Sequence, residues 1–76
     1  MSEIRDVAVL QVGDQITVHG WGFRIEATVY EQLGTHVRAS KRNREAGPST
    51  PNMIIVSTAA IANHLLIVET GWAERH

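Results

Sequence analysis

The chain has 76 residues, with seven Lys and Arg against eight Asp and Glu, four histidines and no cysteine. That length allows one small domain, which buries only about 60% of its unfolded surface. The missing cysteine excludes a disulfide framework and a thiolate metal site, and the near-neutral charge excludes a strong overall pull toward nucleic acid. The start, Met1-Ser2-Glu3-Ile4-Arg5-Asp6, mixes both charge signs and lacks the apolar centre of a signal peptide. The longest apolar stretch, 53–68, is interrupted by Ser57, Thr58, Asn63 and His64 and falls short of the about 20 residues a bilayer requires. A cytoplasmic protein with no membrane partner is expected.

In chain order, the first strand is expected at 15–19. Ile16 and Val18 alternate with polar neighbours there, and Gly13-Asp14 forms a turn before it. Gly20-Trp21-Gly22 ends it as a tight corner. The second strand carries Phe23, Ile25, Ala27 and Val29 on one face and Arg24, Glu26, Thr28 and Tyr30 on the other. The third covers 35–41, with Val37 and Ala39 as its apolar face. A three-residue loop, 32–34, sets Val29 opposite Val37 and Ala27 opposite Ala39, keeping both apolar sets on one side. It also places Tyr30 beside His36 and Glu26 diagonal to Arg38. Residues 41–52 contain Gly47-Pro48 and Pro51 and read as a mobile loop. Met53-Ile54-Ile55-Val56 is a fourth strand, apolar on both faces. Thr58 is expected to cap a short helical turn, 58–63, rich in alanine. Residues 65–69 form the fifth strand, and 70–76 a tail.

Five short strands, one tight hairpin, one polar loop and a helical turn before the last strand describe an all-β fold, a small five-stranded SH3-like barrel. The whole chain, 1–76, forms that one domain, with its core at 12–69. The order resembles SH3-like barrels of the KOW and Tudor type. The resemblance rests on Val12-Gly13-Asp14-Gln15-Ile16, on Ala27-Thr28-Val29, and on Ile55-Val56 followed by the turn. Many functions share such a fold. The chain is also similar to the type II dihydrofolate reductases, small barrels that form tetramers around a central pore. The shared features are a Gly-Asp opening, a Trp-Gly corner and the Ala59-Ala60 turn. In that family a Gln and a Tyr before the turn line the pore. Here those positions hold Ile54 and Val56, so the reductase activity is not expected to carry over.

The residues therefore point to a binding module, with no catalytic residue, no cofactor and no metal site. The four histidines lack metal-ligand spacing, and Gly20-x-Gly22 lacks the third glycine of a dinucleotide site. The first expectation is nucleic-acid contact. Arg38, Lys41, Arg42 and Arg44 would neutralise phosphates, and Tyr30 and His36 would stack bases. The second is a protein partner or homo-oligomer, with Trp21, Met53 and Ile55 at the interface, because a strand apolar on both faces needs cover on both. The short N-terminal run Val7-Ala8-Val9-Leu10 is the alternative cover. A phage or mobile-element accessory protein fits the small size.

Overall fold

The computed structural model describes residues 2–42 and 52–72. Its strands are β1 (Glu3–Ile4), β2 (Gln15–Gly20), β3 (Phe23–Gln32), β4 (His36–Lys41), β5 (Met53–Ser57) and β6 (Ile67–Thr70). A 3₁₀ turn, Val7–Val9, follows β1, and one short helix, α1 (Thr58–Ala62), lies between β5 and β6. All six strands join one antiparallel sheet in the order β1-β6-β2-β3-β4-β5. The expected closed barrel of five strands is therefore met as an all-β antiparallel sheet that is open. β1 is a strand the alternation did not predict, because two residues carry no period. Pairing defines it instead: the Thr70 N–H donates to the Ser2 carbonyl at 2.8 Å.

The inner face follows the period of two. Ile16, Val18, Ala27, Val29, Val37, Ala39, Val56 and Val68 are buried in a single cluster, joined by Ile4, Val7, Leu10 and Ile61. The core thus begins at Ile4 rather than at residue 12. It is built from small aliphatic side chains, and no aromatic ring belongs to it. Phe23, expected on the core face, is 43% exposed at its edge. Its ring lies over Gly20, its cross-strand partner, where an added Cβ would collide with it. Trp21 and Gly22 form the two-residue loop of this hairpin, and Gly22 takes the positive φ (75°) that the third position of a type II turn demands.

The β3–β4 register differs from the expected one by two residues. Val29 faces Ala39, Ala27 faces Lys41, and Gln32 faces Val37, with a β-bulge between Val29 and Glu31. A shift of two keeps every side chain on its face, so hydrophobic alternation alone could not detect it. The cause is Gln32. Its side-chain amide donates to the carbonyls of Val7 (3.0 Å) and Leu10 (2.6 Å) and accepts from the Gly34 N–H (2.7 Å). Val29 and Gln32 are three residues apart, so both can face inward only if the strand gains one unpaired residue between them. Tyr30 is that residue. The expected Tyr30–His36 pairing and the Glu26–Arg38 diagonal are accordingly replaced: Arg38 faces Glu31, and Arg42 bonds Glu26.

The 7–10 segment packs Val7 and Leu10 into the core rather than covering the outer side of β5. Thr58 secures it: its hydroxyl accepts from the Val7 N–H (3.1 Å) and donates to Asp6 Oδ1 (3.2 Å). The cap of α1 is therefore Ser57, whose hydroxyl accepts from the Ala60 N–H at 3.1 Å. The helix ends with His64 in the left-handed region (φ 58°), the His64 N–H bonded to the Ile61 carbonyl and the Leu65 N–H to the Ala60 carbonyl. Residues 70–72 are not a tail. Thr70 closes β6, the Gly71 N–H donates to the Gln15 carbonyl (2.7 Å), and Trp72 Nε1 donates to the Ala27 carbonyl (3.0 Å). Of the expected mobile loop, 43–51 lie outside the described residues, as do 73–76 of the tail.

Two stability changes are expected in urea denaturation. Gln32→Ala leaves two inner carbonyls without their donor and lowers stability by about 2–4 kcal/mol. His64→Gly removes the left-handed penalty of a side chain and raises stability by about 1 kcal/mol.

Candidate functional site

The outer face of the sheet divides into two regions. Over β2, β3 and β6 it is occupied by the chain itself. Thr17 is fully buried there, its hydroxyl donating to the Gly71 carbonyl at 2.7 Å. Arg42 sits beside Glu26, Nη1 to Oε1 at 3.4 Å, and its guanidinium stacks on the Trp72 ring, 4.3 Å from the centroid. His19 Nε2 meets Glu69 Oε1 at 2.7 Å. These contacts hold residues 70–72 across the middle strands.

The second region lies over the end of β3 and over β4 and β5. The register places His36 opposite Ser57, Arg38 opposite Ile55 and Ser40 opposite Met53, all on the outward phase. Glu31 faces Arg38 from the other side, with Tyr30 at the bulge next to it. Tyr30 (46%) on β3 and Ile55 (53%) and Met53 (36%) on β5 are exposed large side chains on the two strands that flank β4. Arg38 lies among them, Nε to Glu31 Oε1 at 3.3 Å, both side chains close to half exposed. His36 Nδ1 is 3.1 Å from the Thr35 hydroxyl. Five residues singled out from the sequence for two different reasons, Tyr30, His36, Arg38, Met53 and Ile55, thus share one surface.

The remaining candidates do not join it. Lys41 faces Ala27 and so has the inward phase, opposite to that of Arg38 and Arg42. Arg42 belongs to the first region, and Arg44 lies outside the described residues. The basic group is therefore dispersed over both faces of β4, and its two described arginines each face a carboxylate. Trp21, 91% exposed, lies at the tip of the β2–β3 hairpin. With His19, His64, Leu65 and Ile67 it lines a separate groove of about 300 Å³. Ile54 and Val56, the positions aligned on the reductase pore groups, have the inward phase. Val56 is buried in the core, and Ile54 packs against it. Among the described residues, no group of three His, Asp or Glu could hold a metal ion, and no helix is long and apolar enough to cross a membrane.

The sequence missed the second half of the ion pair, Glu31, which the expected register placed in another row. Its signal was the Gln32 side chain, a buriable amide one position further along. The chain matches no protein-family model, no curated protein and no solved structure.

The two tryptophans differ in what they hold. Trp21→Ala is expected to leave stability within about 0.5 kcal/mol of the wild type, since its ring touches little of the chain. Trp72→Ala removes a hydrogen bond to the Ala27 carbonyl and a cation–π stack with Arg42, and is expected to lower stability by about 2–3 kcal/mol. Parallel chemical denaturation of the two variants checks both.

Proposed function

We propose that this chain is an SH3-like, non-enzymatic protein-interaction module whose binding surface is the outer face of the β3 end, β4 and β5. The fold reading is supported by the succession of a tight hairpin, further antiparallel strands and a helical turn before the last one. The functional reading is carried by one observation: Tyr30, Arg38, Met53 and Ile55 are exposed together on adjacent strands. Tyr, Met and Arg are the types enriched where proteins meet, and rigid rings beside a guanidinium form the energetic centres of such contacts. A surface of this kind suits a partner with an apolar ridge and an acceptor for Arg38.

Nucleic-acid contact is the competing reading, favoured by Tyr30, His36 and Arg38 lying on one face. Against it stand the carboxylates at Arg38 and Arg42. Each arginine must leave or share its acidic partner before it can serve a phosphate, and Lys41 points the other way.

One pair of experiments separates the readings. Affinity capture with the wild type and with the Tyr30→Ala/Ile55→Arg double variant is expected to show a protein partner retained by the first and lost by at least about tenfold with the second. A gel-shift titration with single-stranded DNA and RNA is expected to show no salt-sensitive binding. Salt-sensitive shifts that disappear in Arg38→Ala would replace the protein reading with the nucleic-acid one. Capture unchanged by the double variant would remove this surface from the function.

A further inference from the structure

The free edge of β5 follows from hydrogen-bond phase. The Lys41 N–H donates to the Asn52 carbonyl, and the Thr58 N–H donates to the Thr35 carbonyl. In an antiparallel ladder the bonded pairs alternate. The β4–β5 register therefore makes Ala39–Ile54 and Val37–Val56 the bonded pairs. The N–H and C=O groups of Met53 and Ile55 and the N–H of Ser57 consequently point away from β4, while the Ser57 carbonyl belongs to α1 as its N-cap. Among the described residues, no strand pairs with that edge.

The sheet's two edges are treated differently. β1, at the far end, is two residues long and carries Glu3, with Arg5 directly after it. A short, charged strand discourages pairing. β5 is five residues long, and from Asn52 to Thr58 it contains no charge, no proline and no bulge. Behind the edge the core is incompletely closed. Phe23, Ile25, Ile54 and Leu66 line an apolar gap of about 260 Å³ together with Ile55 and core valines.

We infer that β5 pairs edge to edge with β5 of a second copy of this chain, antiparallel about a two-fold axis at Ile55. The strand is built for that register. Its outward groups centre on Ile55, with the Met53 carbonyl and the Ser57 N–H two residues to either side. The Ile55 N–H donates to the carbonyl of the partner's Ile55, the Ile55 carbonyl accepts the reciprocal bond, and Met53 comes opposite the partner's Ser57. A two-fold contact sets a central residue against itself, so a charge there would repel its own copy; Ile55 instead sets one apolar side chain against another. A chain of this size is also the kind that gains most from association. The inference rests on the outer-surface reading and extends it. The axis runs across the sheet, so the two sheets become one of twelve strands. Tyr30 and Arg38 of both copies then lie on the same side, flanking the seam.

The test is amide hydrogen exchange by NMR on the full chain across a dilution series, with mass measured by sedimentation. At high concentration the mass is expected to rise from 8.4 kDa toward twice that value. The amides of Ile55 and Ser57 are expected to exchange at least about tenfold more slowly than in the dilute sample, while those of Ile54 and Val56, bonded to β4 in both states, do not change. Ile55→Pro removes only an outward N–H and is expected to give a folded monomer; Ile55→Lys is a second variant expected to do the same. A monomer at every concentration overturns the inference. A dimer in which Ile55 and Ser57 exchange at their dilute rates also overturns it. Either result leaves the outer-surface reading standing if a protein partner is still lost with Tyr30→Ala, whereas edge protection together with Tyr30-independent capture would remove that reading alone.

Discussion

The fold depends on one side-chain amide. Gln32 bonds the carbonyls of Val7 and Leu10, and those two residues, with Ile61 of α1, supply the part of the core that the strands do not. An open sheet cannot bury its own inner face; something must cross it. Here a segment of four residues does so, and its carbonyls need donors once they leave water. Facing Gln32 inward requires the bulge at Tyr30, and the bulge has a consequence on the other side of the sheet. It sets Tyr30 and Glu31 together against Arg38. The constraint that closes the core therefore also builds the exposed cluster, so the candidate surface is rigid to the extent that the core is.

The core itself is modest. Valine, alanine and isoleucine dominate it, and all four rings stay outside. Small β-branched side chains pack well on a pleated sheet, but each buries less area than a ring would. The rings lie elsewhere. Phe23 lies over Gly20, Trp72 bonds the Ala27 carbonyl and stacks under Arg42, and Tyr30 and Trp21 face solvent. Hydrogen bonds between distant segments then carry a larger share of the specificity. Thr58 to Asp6 and Val7, Gly71 to Gln15 and Trp72 to Ala27 all link residues more than forty positions apart.

Much of this was legible in the sequence because period-two alternation survives in a single-layered sheet. Ile16 with Val18, Ala27 with Val29, and Val37 with Ala39 identified their inner faces correctly, and the Gly-Trp-Gly corner and the turn before the last strand fell where expected. The register did not follow, because a slip of two residues preserves every face and only the hydrogen-bonding need of Gln32 distinguishes the two pairings. β1 was too short to show a period. Residues 70–72 read as a tail because Gly71 breaks a strand, yet its positive φ turns the chain back across β2. Of the site, His36 and Arg38 have the outward phase that alternation gave them, whereas Tyr30 sits at a bulge that alternation did not show. Their union with Met53 and Ile55 needed the β4–β5 ladder, which a sequence without an alignment does not display.

The division of the outer face bears most directly on function. A sheet exposed on one side can leave that side polar throughout, as strands with regular alternation do. This one does not. Over β2 and β3 it lays residues 70–72 across the strands, with Thr17 bonded to the Gly71 carbonyl and Arg42 stacked on Trp72, so a polar residue is buried where exposure would have been harmless. Over β4 and β5 it leaves an isoleucine, a methionine and a tyrosine uncovered, where Ser or Thr would have served the sheet equally well. A chain with the means to cover one half of its outer face leaves apolar groups on the other half. Ile55 and Met53 there give up part of the burial their side chains could contribute, and both stand on β5, the strand that ends the sheet among the described residues.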